Sequence, residues 1–265
     1  MTLNLTIIGV GGLGRALASG TIDNVARGVA DIALTLCARR PGSIEAFAGN
    51  ARIVFDAEAA VAGADVVVLA VKPKDTAALL RQLQPWLSPT TLVVSCAAGV
   101  PLSKLTAMSA VARAMPNIGA LRGVSTTAVC LGPTDDASRD RARLHQVFGA
   151  VGSVKEVVDE QQLHAITAVA ASGPAWLLLA VEALVDGAVE QGVPRADALV
   201  WARGALVAAS ARLDDGVEPL AVRAQVTSPG GTTAAGLAVL EASGLRSAVQ
   251  RAVAAAVDRS RALQG

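Results

Sequence analysis

A glycine-rich turn close to the first residues constrains the fold of this chain more than any other feature. An apolar run over 3–9 is typical of a buried strand, and it leads straight into Gly9-Val10-Gly11-Gly12-Leu13-Gly14, where a helical pattern begins. In such a motif the first glycine allows a tight turn, the second lets the backbone approach a pyrophosphate, and the third lets helix and strand pack closely. An ordinary glycine turn is the alternative, but the preceding strand and the anion-binding helix start favour a dinucleotide site. The residues predicted to form it are Gly9, Gly11, Gly12, Leu13 and Gly14.

The first 160 residues alternate short β-rich runs with helical runs, which is typical of a doubly wound sheet. The run 66–71 has no polar residue, as expected for a parallel strand that is covered on both faces. Helices are predicted at 75–87, with Asp75 as N-cap, and at 136–148. The predicted strands are Leu3–Gly9, Ile32–Cys37, Ile53–Phe55, Asp65–Val71, Thr91–Ser95, Val111–Ala114, Thr126–Leu131 and Ser153–Val158. Residues 1–160 are therefore predicted to form a dinucleotide-binding, Rossmann-type α/β domain.

Residues 161–265 carry only helical patterns and are predicted to form an all-helical substrate and dimerisation domain. Ala and Leu occur on more than one face of these helices, which indicates that another subunit covers them. The stretch 165–181 is uncharged, but Glu182 and Asp186 continue its helical pattern, so a packed helix is favoured over a membrane span. The predicted helices are Gln161–Gln191, interrupted at Gly173-Pro174, then Arg195–Leu213, Glu218–Val226, Thr232–Ala242 and Leu245–Leu263.

Composition excludes several classes of function. Lys and Arg number 23 against 22 for Asp and Glu, and the chain has no Tyr, so a nucleic-acid partner is not expected. Two histidines and three cysteines without a CxxC pair predict no metal site. The cysteines, which lie at Cys37, Cys96 and Cys130, are expected to stay reduced in the cytoplasm.

Residues after the later strands extend the predicted cofactor site. Arg39 and Arg40 follow the second strand, where a guanidinium suits the 2′-phosphate of NADP better than the ribose hydroxyl of NAD. NADPH is therefore the expected cofactor, with NADH also possible. The ends of three further strands should meet at one edge of the sheet and face the cofactor. The residues predicted there are Val71, Lys72, Pro73, Ala97, Ala98 and Asn117.

A second candidate site lies at 227–233, where hydroxyl residues and glycines open a helix in the helical half. Backbone N–H groups and hydroxyls without a charge of their own suit a small carboxylate, whereas a plain N-cap would need only one of these residues. The residues predicted to bind the substrate are Ser228, Gly230, Gly231, Thr232 and Thr233. No lysine lies in this half, and reduction of C=O normally uses a Lys or His as the proton donor. Reduction of a C=N bond is therefore favoured.

These residues resemble the pyrroline-5-carboxylate reductase family over nearly the whole chain. The matching stretches are 8–14, 71–74, 94–100, Arg113-Ala114-Met115-Pro116-Asn117, 172–176 and 226–233, of which the last is the most specific. The resemblance implies NAD(P)H-dependent reduction of the cyclic imine 1-pyrroline-5-carboxylate to L-proline. It implies that Ser228, Gly231 and Thr232 hold the substrate carboxylate and that Thr233, the predicted catalytic residue, meets the ring nitrogen as proton donor. It also implies a homodimer or a higher homo-oligomer.

Some positions depart from the family pattern, among them Ala170-Ala171, Trp176 and His164. A reductase of another cyclic imino acid, such as pyrroline-2-carboxylate or its six-membered homologue, is therefore an alternative. A non-catalytic NADP-sensing protein would not need the 228–233 segment. A hydroxyacid dehydrogenase would need a lysine in the long helix, and a deazaflavin-linked NADP reductase would share only the first half of the chain.

Overall fold

The computed structural model describes residues 2–105, 110–214 and 216–264. The chain forms two compact units. One unit joins Met1–Ala171 with Ala256–Gly265, and the other consists of Ser172–Ala255.

The first unit is built on an eight-stranded sheet, which confirms the predicted doubly wound fold. The strands are β1 (Leu3–Ile8), β2 (Ile32–Cys37), β3 (Arg52–Val54), β4 (Val66–Leu69), β5 (Leu92–Ser95), β6 (Ala110–Met115), β7 (Ser125–Leu131) and β8 (Gly152–Glu156). Their spatial order is β3-β2-β1-β4-β5-β6-β7-β8. Strands β1 to β6 run parallel, and β7 runs antiparallel to β6. Every predicted strand is present, with ends that shift by at most two residues.

Helices cover both faces of this sheet. They are α1 (Gly12–Ala26), α2 (Ala57–Val61), α3 (Pro73–Leu83), α4 (Ala137–Gly149) and α5 (Gln162–Ile166). All four residues of β4 are buried: Val66 and Val68 pack in the apolar layer on one face, while Val67 and Leu69 pack in the layer on the other. Burial on both faces is why this strand reads as an unbroken apolar run.

The predicted helix start at Asp75 is wrong, because α3 begins two residues earlier at Pro73, with Lys72 as its N-cap. Proline suits the first helical position, where its missing N–H would have no partner anyway. Asp75 lies instead in the first turn, where a carboxylate is stabilised by the helix dipole. The predicted start at Asp136 is confirmed, since its Oδ1 accepts a hydrogen bond from the Arg139 N–H at 2.9 Å.

The division into units differs from the predicted boundary at residue 160. Leu163 is buried against Met115, Ala128 and Cys130 of β6 and β7, so α5 belongs to the first unit. A π-helical turn over Thr167–Ser172 then connects α5 to α6 (Gly173–Glu190). The helix therefore does not stop at Gly173-Pro174. Proline lacks an N–H and crowds the carbonyl four residues earlier, and a widened π turn accommodates both effects.

The second unit contains α6, α7 (Arg195–Asp214), α8 (Pro219–Gln225), α9 (Thr232–Ala242) and most of α10 (Leu245–Ala262). A small core of Val185, Ala198 and Ala202 joins α6 to α7. Large apolar side chains on the same helices are exposed, including Trp201 at 73% and Leu178 at 56%. The continuous helix Gln162–Glu190 is also long and apolar enough to cross a membrane, by length and composition alone.

Candidate active site

Backbone geometry explains two glycines of the turn between β1 and α1. Gly9 has a φ of +95°, and a Cβ atom there would lie 2.7 Å from Cγ1 of Val71 and 2.8 Å from the carbonyl oxygen of Ala70. A Cβ atom on Gly14 would collide with the carbonyl oxygen of Gly9. Any side chain at either position would therefore push the turn away from β4 or the helix away from β1.

The start of α1 is open. Gly11 is the N-cap and has no side chain that could accept from the first turn, which contains no acidic residue. A Cβ atom on Gly11 or Gly12 would meet no atom of the described residues within 4 Å. Leu13, by contrast, packs partly against the core of the sheet. The helix start thus offers backbone N–H groups and free space, the two features that a bound pyrophosphate requires.

A cleft of about 690 Å³ lies in front of this helix start. It is at the carboxyl ends of β1, β2 and β4, where the order of the strands reverses and where open α/β sheets bind their ligands. The structure brings together here several of the predicted residues, namely Gly9, Gly11, Arg39, Arg40, Val71 and Lys72. The opposite wall is formed by the α3 residues Asp75, Ala78, Leu79 and Gln82.

Asp75 lines the cleft, a role that the prediction of Asp75 as a helix cap does not include. Its Oδ2 accepts a hydrogen bond from Nη2 of Arg39 at 3.0 Å, while the Arg39 side chain is 84% exposed. The pairing joins the loop after β2 to the first turn of α3. No local pattern predicts it, because the two residues are 36 positions apart.

The other predicted cofactor residues follow the neighbouring strands. Leu69, Ser95 and Arg113 are aligned across β4, β5 and β6, so the chain leaves all three strands at the same edge of the sheet. Ala97 is buried and Ala98 half-buried just after β5. Neither these alanines nor Asn117 line the cleft described above. The Asn117 Oδ1 accepts from the Gly119 N–H at 2.8 Å, so its carbonyl group has a local structural role.

The second candidate site opens α9. Gly231 is the N-cap, no described side chain caps this helix, and its first turn has no acidic residue. Gly230 has a φ of +69°, the Gly231 N–H donates to the Ser228 carbonyl at 3.1 Å, and a Cβ atom on Gly231 would collide with the Ser228 Oγ. The hydroxyl residues Ser228, Thr232 and Thr233 are exposed. The structure therefore differs from a plain N-cap, in which a side-chain oxygen would accept hydrogen bonds from these N–H groups.

The first unit contains buried thiols, of which that of Cys37 belongs to a residue that lines the cleft. The thiols of Cys37, Cys96 and Cys130 are free, and burial raises the pKa of each, that of Cys96 to about 12. They are therefore protonated and poor nucleophiles. Among the described residues, no three His, Cys, Asp or Glu side chains form a group that could hold a metal ion.

His164 is 1% exposed, and burial lowers its pKa, helped by the positive charges of Arg113 and Arg261 and opposed by Glu160. In the unfolded chain the His164 ring has its ordinary pKa near 6.5, so it takes up a proton at a higher pH there than in the folded chain. We expect stability to fall as the pH drops below about 6.5, because the unfolded state binds more protons there. Urea midpoints measured between pH 7.5 and 5 check this. The urea midpoint should decrease less with falling pH in His164→Gln than in the wild type. It should decrease as in the wild type in His145→Gln, because His145 is exposed on α4.

Each half of the chain matches a model of a known protein family. A family model described as pyrroline-5-carboxylate reductase dimerisation matches residues 160–263. A model described as NADP oxidoreductase, coenzyme F420-dependent, matches residues 4–99. The deazaflavin-linked alternative thus corresponds only to the first half, as its shared N-terminal pattern indicates.

Individual relatives match over nearly the full length. Pyrroline-5-carboxylate reductase from Methanosarcina acetivorans is 36% identical over 269 residues, which cover 97% of this chain and 96% of that protein. The structure of a pyrroline-5-carboxylate reductase from Coxiella burnetii has a TM-score of 0.88 at 31% identity and covers 100% of both chains. Plasmodium falciparum pyrroline carboxylate reductase with NADP bound has a TM-score of 0.87 at 25% identity, over 99% of this chain and 98% of that one. This chain therefore belongs to the pyrroline-5-carboxylate reductase family.

Proposed function

We propose that this chain is an NADPH-dependent reductase that converts 1-pyrroline-5-carboxylate to L-proline, the final reduction of proline biosynthesis. The observation that carries the proposal is the start of α9, which presents uncapped backbone N–H groups beside exposed hydroxyls at Ser228, Thr232 and Thr233. Relatives that align over nearly the whole chain bear the name of this activity.

The residues of the cleft fit a dinucleotide. When bound, NADPH supplies the hydride for the reduction. The turn Gly9–Gly14, with Gly9, Gly11, Gly12, Leu13 and Gly14, would hold the pyrophosphate. Gly9 and Gly14 admit no side chain, Gly11 and Gly12 leave free space, and the helix start leaves N–H groups available. Arg39 and Arg40 would bind the 2′-phosphate. Residues that would line the remainder of the cofactor are Val71, Lys72, Pro73, Ala97, Ala98 and Asn117.

The start of α9 fits the substrate carboxylate. Ser228, Gly230, Gly231 and Thr232 would bind it through hydroxyl and backbone N–H groups, with the positive end of the helix dipole favouring the anion. The hydride forms the new C–H bond at the imine carbon, the C=N π electrons pass to nitrogen, and a proton completes the amine. Thr233 would meet the ring nitrogen and donate that proton or orient the water that does so. The reduction takes up one proton in all, and that proton also makes the imine electrophilic if it reaches the nitrogen before the hydride reaches carbon, so the chemistry requires no further acid such as lysine or histidine.

The experiment that tests the proposal is NADPH oxidation by the purified chain with 1-pyrroline-5-carboxylate, pyrroline-2-carboxylate and the six-membered homologue. We expect turnover with the first substrate and one L-proline formed per NADPH consumed. Turnover with another imine alone would assign the chain to that substrate. Tight NADPH binding without turnover of any imine would indicate an NADP-sensing protein.

Cofactor preference should depend on the two arginines of the cleft. Replacing both Arg39 and Arg40 by alanine should weaken NADPH binding by about 10- to 100-fold, because hydrogen bonds to charged groups contribute about 1.5–3 kcal/mol. NADH binding should change little. Asp75→Asn should act in the opposite direction, since it removes the carboxylate that pairs with Arg39. Dissociation constants of both cofactors, measured by nucleotide fluorescence, check all three expectations. An equal loss of NADH binding in the double variant would contradict them.

We also propose that the chain assembles as a homodimer or a higher homo-oligomer through its helical unit. Its helices expose the large apolar side chains of Leu177, Leu199, Trp201 and Leu220, whose exposure to water is energetically unfavourable. The match to a dimerisation model over 160–263 supports this use of the apolar faces, including those of the helix Gln162–Glu190, in place of a membrane. Light scattering should give a mass of at least twice the 26.6 kDa of one chain.

We place the enzyme in the cytoplasm. The three cysteines all lie within the described residues, where they are free and buried. Unpaired thiols are typical of a reducing compartment.

A further inference from the structure

The loop that follows β5 is held by residues from the far end of the chain. This loop, Ala97–Lys104, ends in a short 3₁₀ helix over Leu102–Lys104. Gly99 has a φ of +74°, and a Cβ atom there would lie 2.6 Å from Cβ of Leu263 and 2.9 Å from its carbonyl carbon. The Lys104 Nζ donates a hydrogen bond to the Gln264 carbonyl at 2.6 Å. The backbone of Leu263 and Gln264 therefore lies directly on the loop.

His164 contacts the same C-terminal segment through both of its ring nitrogens. Its Nδ1 lies 2.9 Å from Oγ of Ser260, and its Nε2 lies 2.9 Å from Nε2 of Gln264. An amide NH₂ group can only donate, so the histidine Nε2 accepts and its Nδ1–H donates to Ser260. One neutral imidazole thus fixes both ends of the Ser260–Gln264 segment.

An ion pair near His164 holds the other end of the loop. Oε1 of Glu160 accepts from the Leu102 N–H at 2.7 Å and from Nη1 of Arg113 at 2.9 Å. Arg113 is 2% exposed, so the Glu160 carboxylate forms an ion pair with a buried guanidinium group. The loop is therefore held by contacts at Gly99, Leu102 and Lys104. Each contact is made with a residue in 160–164 or 260–264.

We propose that the Ser260–Gln264 segment positions the nicotinamide half of bound NADPH by fixing the Ala97–Lys104 loop. The inference rests on the proposed function, in which the first unit binds NADPH and Arg39 and Arg40 hold its 2′-phosphate. Arg39 and Arg40 place the adenosine half on the β2 side of the glycine turn. The other half must then extend across the switch point toward the ends of β4 and β5. The loop there begins Ala97-Ala98-Gly99. Ala97 is buried in the core of the first unit, whereas Gly99 and Lys104 contact Leu263 and Gln264, so the outer part of the loop depends on that segment.

The test compares two ligands that differ in the nicotinamide half. NADPH contains the whole of it, whereas 2′-phospho-ADP-ribose lacks the nicotinamide ring and retains the adenosine, the 2′-phosphate, the pyrophosphate and the second ribose. In Gln264→Ala, which removes one anchor at His164, we expect NADPH to bind about tenfold more weakly, as for one lost hydrogen bond near a buried group. Binding of 2′-phospho-ADP-ribose should stay unchanged.

Gly99→Ala provides a second variant with a matched control. Gly63 has nearly the same φ, +70°, but a Cβ atom there would meet no described atom within 4 Å. Both substitutions strain a left-handed backbone, and only Gly99→Ala displaces Leu263. We expect Gly99→Ala to reproduce the selective loss of NADPH binding and Gly63→Ala to bind both ligands as the wild type does.

Binding is measured by equilibrium titration without any imine, so the result does not depend on turnover. Equal weakening of both ligands, or wild-type binding in Gln264→Ala and Gly99→Ala, would overturn the inference and leave the reductase proposal intact. A wild-type chain that binds neither ligand would overturn both. Selective loss of NADPH binding in a chain that turns over no imine would support the positioning role and reject the reductase.

Discussion

Replacing Thr233 by valine should lower kcat for imine reduction by about 100-fold or more, while the dissociation constant for NADPH stays at its wild-type value. Valine has nearly the shape of threonine but no hydroxyl, so the change removes a proton donor without opening a cavity. A positioned general acid typically contributes about 10²- to 10⁴-fold to a rate. The hydroxyl lies in the first turn of α9, where it is exposed and no described side chain caps the helix. It is therefore available to a ligand bound at that helix start.

Steady-state kinetics and cofactor titration on the same preparations check this expectation. Thr233→Ser keeps the hydroxyl and should recover most of the rate, which separates the chemical group from the shape of the side chain. If valine leaves kcat unchanged, Thr233 has no role in proton delivery and a water held by other groups must supply the proton. A parallel loss of NADPH affinity would instead indicate damage outside the proposed substrate site.

Much of the first unit could be predicted from sequence because its signals are local. Buried parallel strands such as β4 need apolar residues on both faces, so a run of valines identifies them. The helix start at Asp136 was identified by a side chain that caps it. The predicted start of α3 is two residues late because Pro73 begins the helix without a side-chain cap, and Asp75 two residues later is of a residue type that commonly caps helices.

The parts that could not be predicted depend on contacts between distant residues. The pairing of Arg39 with Asp75 across the cleft and the packing of Leu263 on Gly99 leave no periodic signal. The compact units divide after Ala171 and not at the predicted residue 160 for the same reason, since Leu163 and His164 continue a helical pattern but bury their side chains in the first unit. In the glycine turn, by contrast, Gly9 and Gly14 leave a local signal because a tight turn or a close approach admits no side chain there, whereas Gly11 and Gly12 have open space around them.

Gly11→Ala and Gly14→Ala should separate two reasons for glycine within one turn. A Cβ atom on Gly14 would collide with the Gly9 carbonyl, so α1 must move away from β1. We expect Gly14→Ala to lower the free energy of unfolding by about 1–3 kcal/mol, as overpacking does, and to abolish NADPH binding. Gly11 has an ordinary φ of −80° and open space around it. Its replacement should change stability by no more than about 1 kcal/mol, the scale of an N-cap substitution.

NADPH binding is where Gly11→Ala should have its large effect. If the pyrophosphate approaches the N-cap backbone, the added methyl group occupies the space the phosphate needs, and charge-assisted hydrogen bonds to the N–H groups are lost. We expect binding to weaken at least about tenfold, since each such bond contributes about 1.5–3 kcal/mol. Gly149→Ala, at the end of α4 where an added Cβ atom would also meet no described atom within 4 Å, is the control for adding a methyl group away from the cleft, and it should bind NADPH as the wild type does. Urea unfolding and cofactor titration of the three variants would distinguish a glycine kept for the fold from one kept for the ligand. Wild-type NADPH affinity in Gly11→Ala would mean that the phosphates do not approach this helix start, and the free space there would then need another explanation.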